Sequence, residues 1–315
     1  MRISFKSRVS SQPSLLKFKP IEPSLEYRSL TDIWEHERKA EQLNSLLDRY
    51  KDPSFSIALL DRIELFQASK KSTPLVLSLS GAPGTGKTTL ANELANALKQ
   101  SFSLDSAIVS LDDFYLSRAE RADLAKSIHP LAITRGPPGT HDVKRLIDVI
   151  QKLRKNLSAR APVFNKALDD RVEKTRLIRP AGVIICEGWF WGAIAEPRSA
   201  LINPVNRLEE EQDHLGIWRS WVNDQIARYK EAFVSDISIY LRAPSSIASM
   251  EWRKSQEEEN LAKNGEDNSN IKLDIEKFLA HFERLVRWID KDLSGRANIE
   301  IVLDEHHDIA RIERH

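Results

Sequence analysis

One stretch constrains this chain more than any other: Gly81-Ala82-Pro83-Gly84-Thr85-Gly86-Lys87-Thr88. It fits G-x-x-x-x-G-K-[ST], a loop that cradles phosphate. Its flanks are those the loop requires. Leu75-Val76-Leu77-Ser78-Leu79 is a short β-prone apolar run, and Leu90, Leu94, Ala95, Ala97 and Leu98 recur on one helical face behind it. Glycines let the backbone turn tightly and aim several N–H groups inward, and the helix N-terminus adds partial positive charge. Gly81 through Thr89 are therefore the candidate nucleotide-binding residues. Lys87 supplies a cation for the outer phosphates, and Thr88 a hydroxyl for Mg²⁺.

Further apolar runs read as strands: Ala107 to Leu111, Gly182 to Cys186, Asp236 to Leu241 and, closing the sheet, Ile299 to Leu303. Helical patterns lie between them. The expectation is an α/β chain with a mainly parallel sheet, helices on both faces and a ligand site at the strand ends. Two of these strands end in acids. Asp112 and Asp113 follow the second strand, expected beside the phosphate-loop strand. Glu187 follows the third, the most apolar one. Asp112 is the candidate base, with a share in the metal site. Asp113 would point away in extended chain and support it. Glu187 is placed for Mg²⁺, as in the pattern of an apolar strand ending in a carboxylate. A helix cap or a solvated turn is the alternative for both aspartates.

Composition narrows the partners. With 47 basic and 46 acidic residues, the chain offers no global case for nucleic acid or an anionic membrane. No apolar run approaches the roughly 18 residues needed to span a bilayer. The single cysteine, Cys186, excludes an internal disulfide, reads as an inert buried thiol and fits a cytoplasmic setting. The first twenty residues are basic and serine-rich without an acid. They read as an N-terminal arm, with organellar targeting as the alternative.

Residues 24 to 50 read as an amphipathic helix, with Trp34, Leu43, Leu46 and Leu47 for packing or a partner, and a second helix opens at Pro53. The division expected is an N-terminal extension, 1–53, and a catalytic domain, 54–315. Within the latter, 244–270 reads as a helical lid carrying Arg253 as a transition-state cation. The loop Arg135 to Asp142 is rigid and rich in Gly and Pro, and Thr140 or Asp142 caps the helix behind it. Arg135, Asp142, Lys166 and Arg171 are candidate contacts for a small polar substrate, with Asp113 and Tyr115. Asn165-Lys166 does not begin a guanine-reading N-K-x-D, because Leu168 stands where the acid is needed. His306 and His307 read as surface residues.

Taken in order, these motifs resemble a known group. The phosphate loop, Asp112-Asp113-Phe114-Tyr115, the Arg135-to-Asp142 loop, Phe164-Asn165-Lys166 with Asp169-Asp170-Arg171, and Glu187-Gly188-Trp189-Phe190 carry the likeness. So do Asn203 to Glu209, Trp252-Arg253 with Gln256-Glu257, and His281 to Leu285. Over about residues 54 to 305 the chain resembles the D-glycerate 3-kinase family, in its bacterial kinase-like branch. That family sits among P-loop kinases that include uridine kinase, pantothenate kinase and phosphoribulokinase. The resemblance implies ATP and Mg²⁺, transfer to the 3-hydroxyl of D-glycerate, and Arg284 among the acceptor contacts. One departure is Asn165, where Asp is expected. Two alternatives stay open: another acceptor (a nucleoside, pantothenate or another sugar acid), or a P-loop regulatory or assembly ATPase acting on a protein.

Overall fold

The computed structural model describes residues 30–69, 72–245, 247–255 and 271–315. The N-terminal arm, the expected helical residues 24–29 and the lid residues 256–270 lie outside them.

The alternation of apolar runs and helical patterns becomes one main sheet. Its strands are β1 (Leu75–Gly81), β2 (Ser106–Ser110), β5 (Val183–Gly188), β6 (Ile237–Arg242), β7 (Ile299–Leu303) and β8 (Ile309–Arg314). The order is β2-β5-β1-β6-β7-β8. All neighbours run parallel except β7 and β8, so β7 does not close the sheet: the antiparallel β8 covers its edge. Nor does β2 lie beside β1. β5 stands between them, with Glu187 level with Leu79 on one side and Ser110 on the other. Every residue of β1, β5's apolar run and β7 is buried, as expected for strands covered on both faces.

The helices are α1 (Leu30–Ser45), α2 (Pro53–Ala68), α3 (Lys87–Phe102), α4 (Arg118–Ser127), α5 (Val143–Arg154), α6 (Arg207–Gln212), α7 (Ile217–Gln225), α8 (residues 247–255) and α9 (Ile271–Asp292). They form two cores. One face of the sheet (Leu75, Leu77, Leu79, Ile239, Ile301) packs with Leu43 and Leu47 before α2, with α2 itself and with α3. The other (Val76, Val109, Ile184, Cys186) packs with α5, α9 and Trp189, Phe190 and Trp191. Trp34, by contrast, is 79% exposed, so α1 docks through its C-terminal half. At about 1.5–3 kcal/mol per fully buried large aliphatic side chain, Leu43 and Leu47 alone tie this segment to the sheet.

Two strands are unforeseen. β3 (Ala159–Asn165) and β4 (Asp170–Ile178) make an antiparallel hairpin apart from the main sheet. Its turn is built by Asn165, whose side-chain oxygen accepts from the N–H groups of Ala167 and Leu168. An aspartate could accept the same bonds, which gives the departure at Asn165 a local structural account.

Candidate active site

Strand order delivers three loops to one end of the sheet: the phosphate loop after β1, the turn Leu111–Phe114 after β2, and the turn after β5. Gly86 caps α3 in the left-handed region (φ 85°), and a Cβ there would meet the Tyr50 hydroxyl at 2.2 Å. Gly84 is also left-handed (φ 90°), with Trp252 and Arg253 of α8 within about 3 Å of a built Cβ. Both positions need glycine.

Lys87 is buried and donates to the carbonyl of Ala82 at 2.9 Å. Burial pushes its pKa down to about 8, although the Glu187 and Asp112 carboxylates pull the other way. Thr88 Oγ1 lies 3.4 Å from Glu187 Oε1. Glu187 is 5% exposed, and burial together with the Asp112 charge raises its pKa. Asp112 accepts at 2.6 Å from both the Tyr115 hydroxyl and Lys166 Nζ. Burial alone would raise its pKa. The Lys166 ammonium, the Tyr115 hydroxyl and Arg253 outweigh that and hold it well below the carboxylate range. Asp113, in the same turn, faces the other way and pairs with Arg176 at 2.8 Å.

These groups surround one cavity of about 230 Å³. Arg49, Gly84, Lys87, Thr88, Asp112, Tyr115, Lys166, Glu187 and Arg253 line it, with Trp189, Phe278 and Phe282 as its apolar wall. Thr88, Asp112 and Glu187 give it a set of hard oxygen donors, which suits Mg²⁺ and no softer metal.

Other sequence candidates have different partners. Arg135 is bound to Asp169 at 2.6 Å and lies over the rings of Phe164 and Phe278, so it backs the cavity wall rather than lining it. Arg171 donates to the Tyr115 carbonyl and pairs with Glu120 at 3.2 Å. Asp142 caps α5 through the N–H of Arg145 and is 3.9 Å from Arg171. Arg284 is not brought to this cavity. It is buried against Glu209 (2.6 and 2.7 Å) and the carbonyls of Ala200 and Asn203. A guanidinium so satisfied holds the helices around it together.

Arg49, which lines the cavity, was missed, and so were two residues that hold the phosphate loop. His307 is not a plain surface residue: its ring stacks on Trp252 at 3.6 Å between centroids, and it hydrogen-bonds the backbone of Gly84. Tyr50 donates to the carbonyls of Thr85 and Gly86. No local pattern marks either one, since both contacts join segments far apart in sequence.

The comparisons with known proteins agree with this geometry. The Phosphoribulokinase / Uridine kinase family model matches residues 76–202. The uncharacterized kinase mug58 of Schizosaccharomyces pombe is 28% identical over 271 residues, spanning 79% of this chain and 95% of its own. The chloroplastic D-glycerate 3-kinase of Arabidopsis thaliana is 34% identical over 132 residues, 38% of this chain and 29% of that protein. The solved structure of a D-glycerate 3-kinase from Cryptococcus neoformans matches with a TM-score of 0.66 at 22% identity, covering 89% of this chain and 99% of its own. The chain has a P-loop kinase fold, a mostly parallel central sheet with helices on both faces. No described helix is long and apolar enough to cross a membrane.

Proposed function

We propose that this chain transfers the γ-phosphate of ATP to a hydroxyl of a small acid, with D-glycerate going to 3-phosphoglycerate as the first candidate. One observation carries the reading. Lys87 and Thr88 of the phosphate loop share a single small cavity with Asp112, Glu187, Lys166 and Arg253. The N-terminus of α3 and Lys87 suit the phosphates. A cavity of this size suits a small acceptor rather than a protein segment. The names of the glycerate kinases above support this acceptor without deciding it.

In the proposed reaction the acceptor oxygen bonds to the γ-phosphorus, the bond to the β–γ bridging oxygen breaks, and ADP leaves. Lys87 and Arg253 stabilise the charge on the transferring group. Asp112, kept ionised by Lys166, orients the hydroxyl and collects its proton late, as a loose transition state requires. Lys166 must release Asp112 as substrates enter, and the acceptor carboxylate or a phosphate is then its natural partner. Arg135, Arg171, Tyr115 and Asp142 shape that side of the pocket. Thr88, Glu187 and Asp112 would hold Mg²⁺, which supplies charge neutralisation on the phosphates.

An acceptor screen with mass detection of the phosphorylated product tests the substrate. ADP release that needs a macromolecule and no small hydroxyl compound would favour the ATPase alternative. Asp112→Asn tests the chemistry: kcat should fall by about 10²–10⁴-fold with ATP affinity little changed. Collapse of ATP·Mg²⁺ binding in that variant would make metal binding, and not the base role, the main work of Asp112.

A further inference from the structure

The segment joining α1 and α2 lies outside residues 76–202, which the family model matches, yet it reaches the phosphate loop. Its backbone is fixed from below. Glu93 of α3 accepts from the N–H groups of Asp48, Arg49 and Tyr50 at 3.2, 3.3 and 3.4 Å. Tyr50, 1% exposed, bridges the carbonyls of Thr85 and Gly86 at 3.1 Å each. So held, the segment presents Arg49 to the nucleotide cavity, whose lining also includes Gly84, Gly86 and Thr89. The Arg49 guanidinium has no hydrogen-bond or ion-pair partner among the described residues.

Its side of the cavity is distinct. His307, at Gly84, feels the Arg49 charge. The largest charge effects on Lys87 come from Glu187, Asp112, Arg253 and Lys166, on the reacting side. An unpaired guanidinium in a cavity that also holds the N-terminal residues of α3 can meet a phosphate oxygen in its preferred forked geometry. The fixed backbone beneath it reduces the ordering cost of that contact.

We propose that Arg49 binds the non-transferred phosphates of the nucleotide, so that the α1–α2 segment completes the nucleotide site. This rests on the nucleotide reading above. The test measures binding of ATP·Mg²⁺ and ADP·Mg²⁺ to the full chain as wild type, Arg49→Ala and Arg49→Lys, with ligand-free melting temperatures. Arg49→Ala should weaken both nucleotides by the same factor, about tenfold or more. Arg49→Lys should lie between it and wild type, acceptor KM should hold, and the ligand-free melting temperature should not move. A wild type that binds neither nucleotide sinks the nucleotide reading itself. A wild type that binds, beside an Arg49→Ala variant that binds equally well, overturns only this inference. Loss of ATP with ADP spared puts Arg49 on the γ-phosphate and overturns it too, as does a loss that tracks a lower ligand-free melting temperature.

Discussion

At the scale of single residues, Asp112 is held between opposed effects, and the balance is testable. Burial pushes its proton affinity up, and Lys166, Tyr115 and Arg253 together more than offset that, Lys166 most of all. Lys166→Ala removes the larger restraint, so the Asp112 pKa should rise. The acid limb of the kcat/KM profile for the acceptor should then move to higher pH. An unmoved limb would mean that Asp112 does not set it. Lys87 gives a second check. Its pKa, pushed down to about 8 by burial, should climb when phosphates arrive, because anions favour the ammonium. Nucleotide binding at pH 8.5 should therefore take up protons, measured by calorimetry in two buffers of different ionisation enthalpy. Uptake should fade toward pH 6.5, where Lys87 is already charged. Equal binding heats in both buffers at pH 8.5 would refute this. Of these residues, Lys87, Thr88, Asp112 and Glu187 were legible in the sequence, because each ends an apolar strand or sits in a fixed motif. The Lys166–Asp112 pair was not, since it needs the β3–β4 hairpin to swing Lys166 onto the sheet end.

At the scale of elements, α8 is held to the phosphate-loop side by Trp252 and to α9 by the Lys254–Glu276 ion pair at 3.6 Å. Trp252 stacks on His307, and the Gly84 backbone passes under both. Arg253 follows Trp252 and lines the cavity. Trp252→Ala should therefore lower kcat by about tenfold or more through misplacement of Arg253, while the ligand-free melting temperature changes little. Full kcat in that variant would show that α8 holds Arg253 without the stack. The elements also explain what the sequence hid. β1, β5 and β7 announce themselves as continuous apolar runs because both faces are covered. β4 does not: Arg171, Glu173, Lys174 and Arg176 decorate a ribbon covered on one side at most. Strand order escaped as well, since period-two patterning says that Ser106–Ser110 is a strand and nothing about β5 standing between it and β1.

At the scale of the whole molecule, the fold carries buried histidines that make its stability depend on acid. His141 bonds the Tyr229 hydroxyl through Nδ1, and burial pushes its pKa down to about 3. His281, on α9, is packed edge-on against Trp218, its buried Nδ1 has no hydrogen-bond partner among the described residues, and burial again pushes it down to about 3. The unfolded chain protonates both near 6.5. Between pH 3 and 6.5 the unfolded state thus binds protons that the folded state refuses. Stability from this source is fully present above 6.5 and drains away as pH falls, by up to roughly 1.4 kcal/mol per pH unit for each histidine. Buried acids pull the other way. Glu187 and Glu196, whose pKa values are raised, keep protons in the folded state that the unfolded chain has lost. Total stability therefore mixes both signs, and a difference between variants separates them. His281→Leu leaves the carboxylates alone and removes one histidine without stranding a hydrogen bond. Its stability relative to wild type, from urea midpoints at pH 7, 5.5 and 4.5, should improve steadily toward acid. His141→Gln should show the same trend from a lower starting point, because the Tyr229 contact is weakened. A pH-independent difference for His281→Leu would mean that His281 protonates in the folded protein, and that the α9 core admits the charge which burial is argued here to exclude.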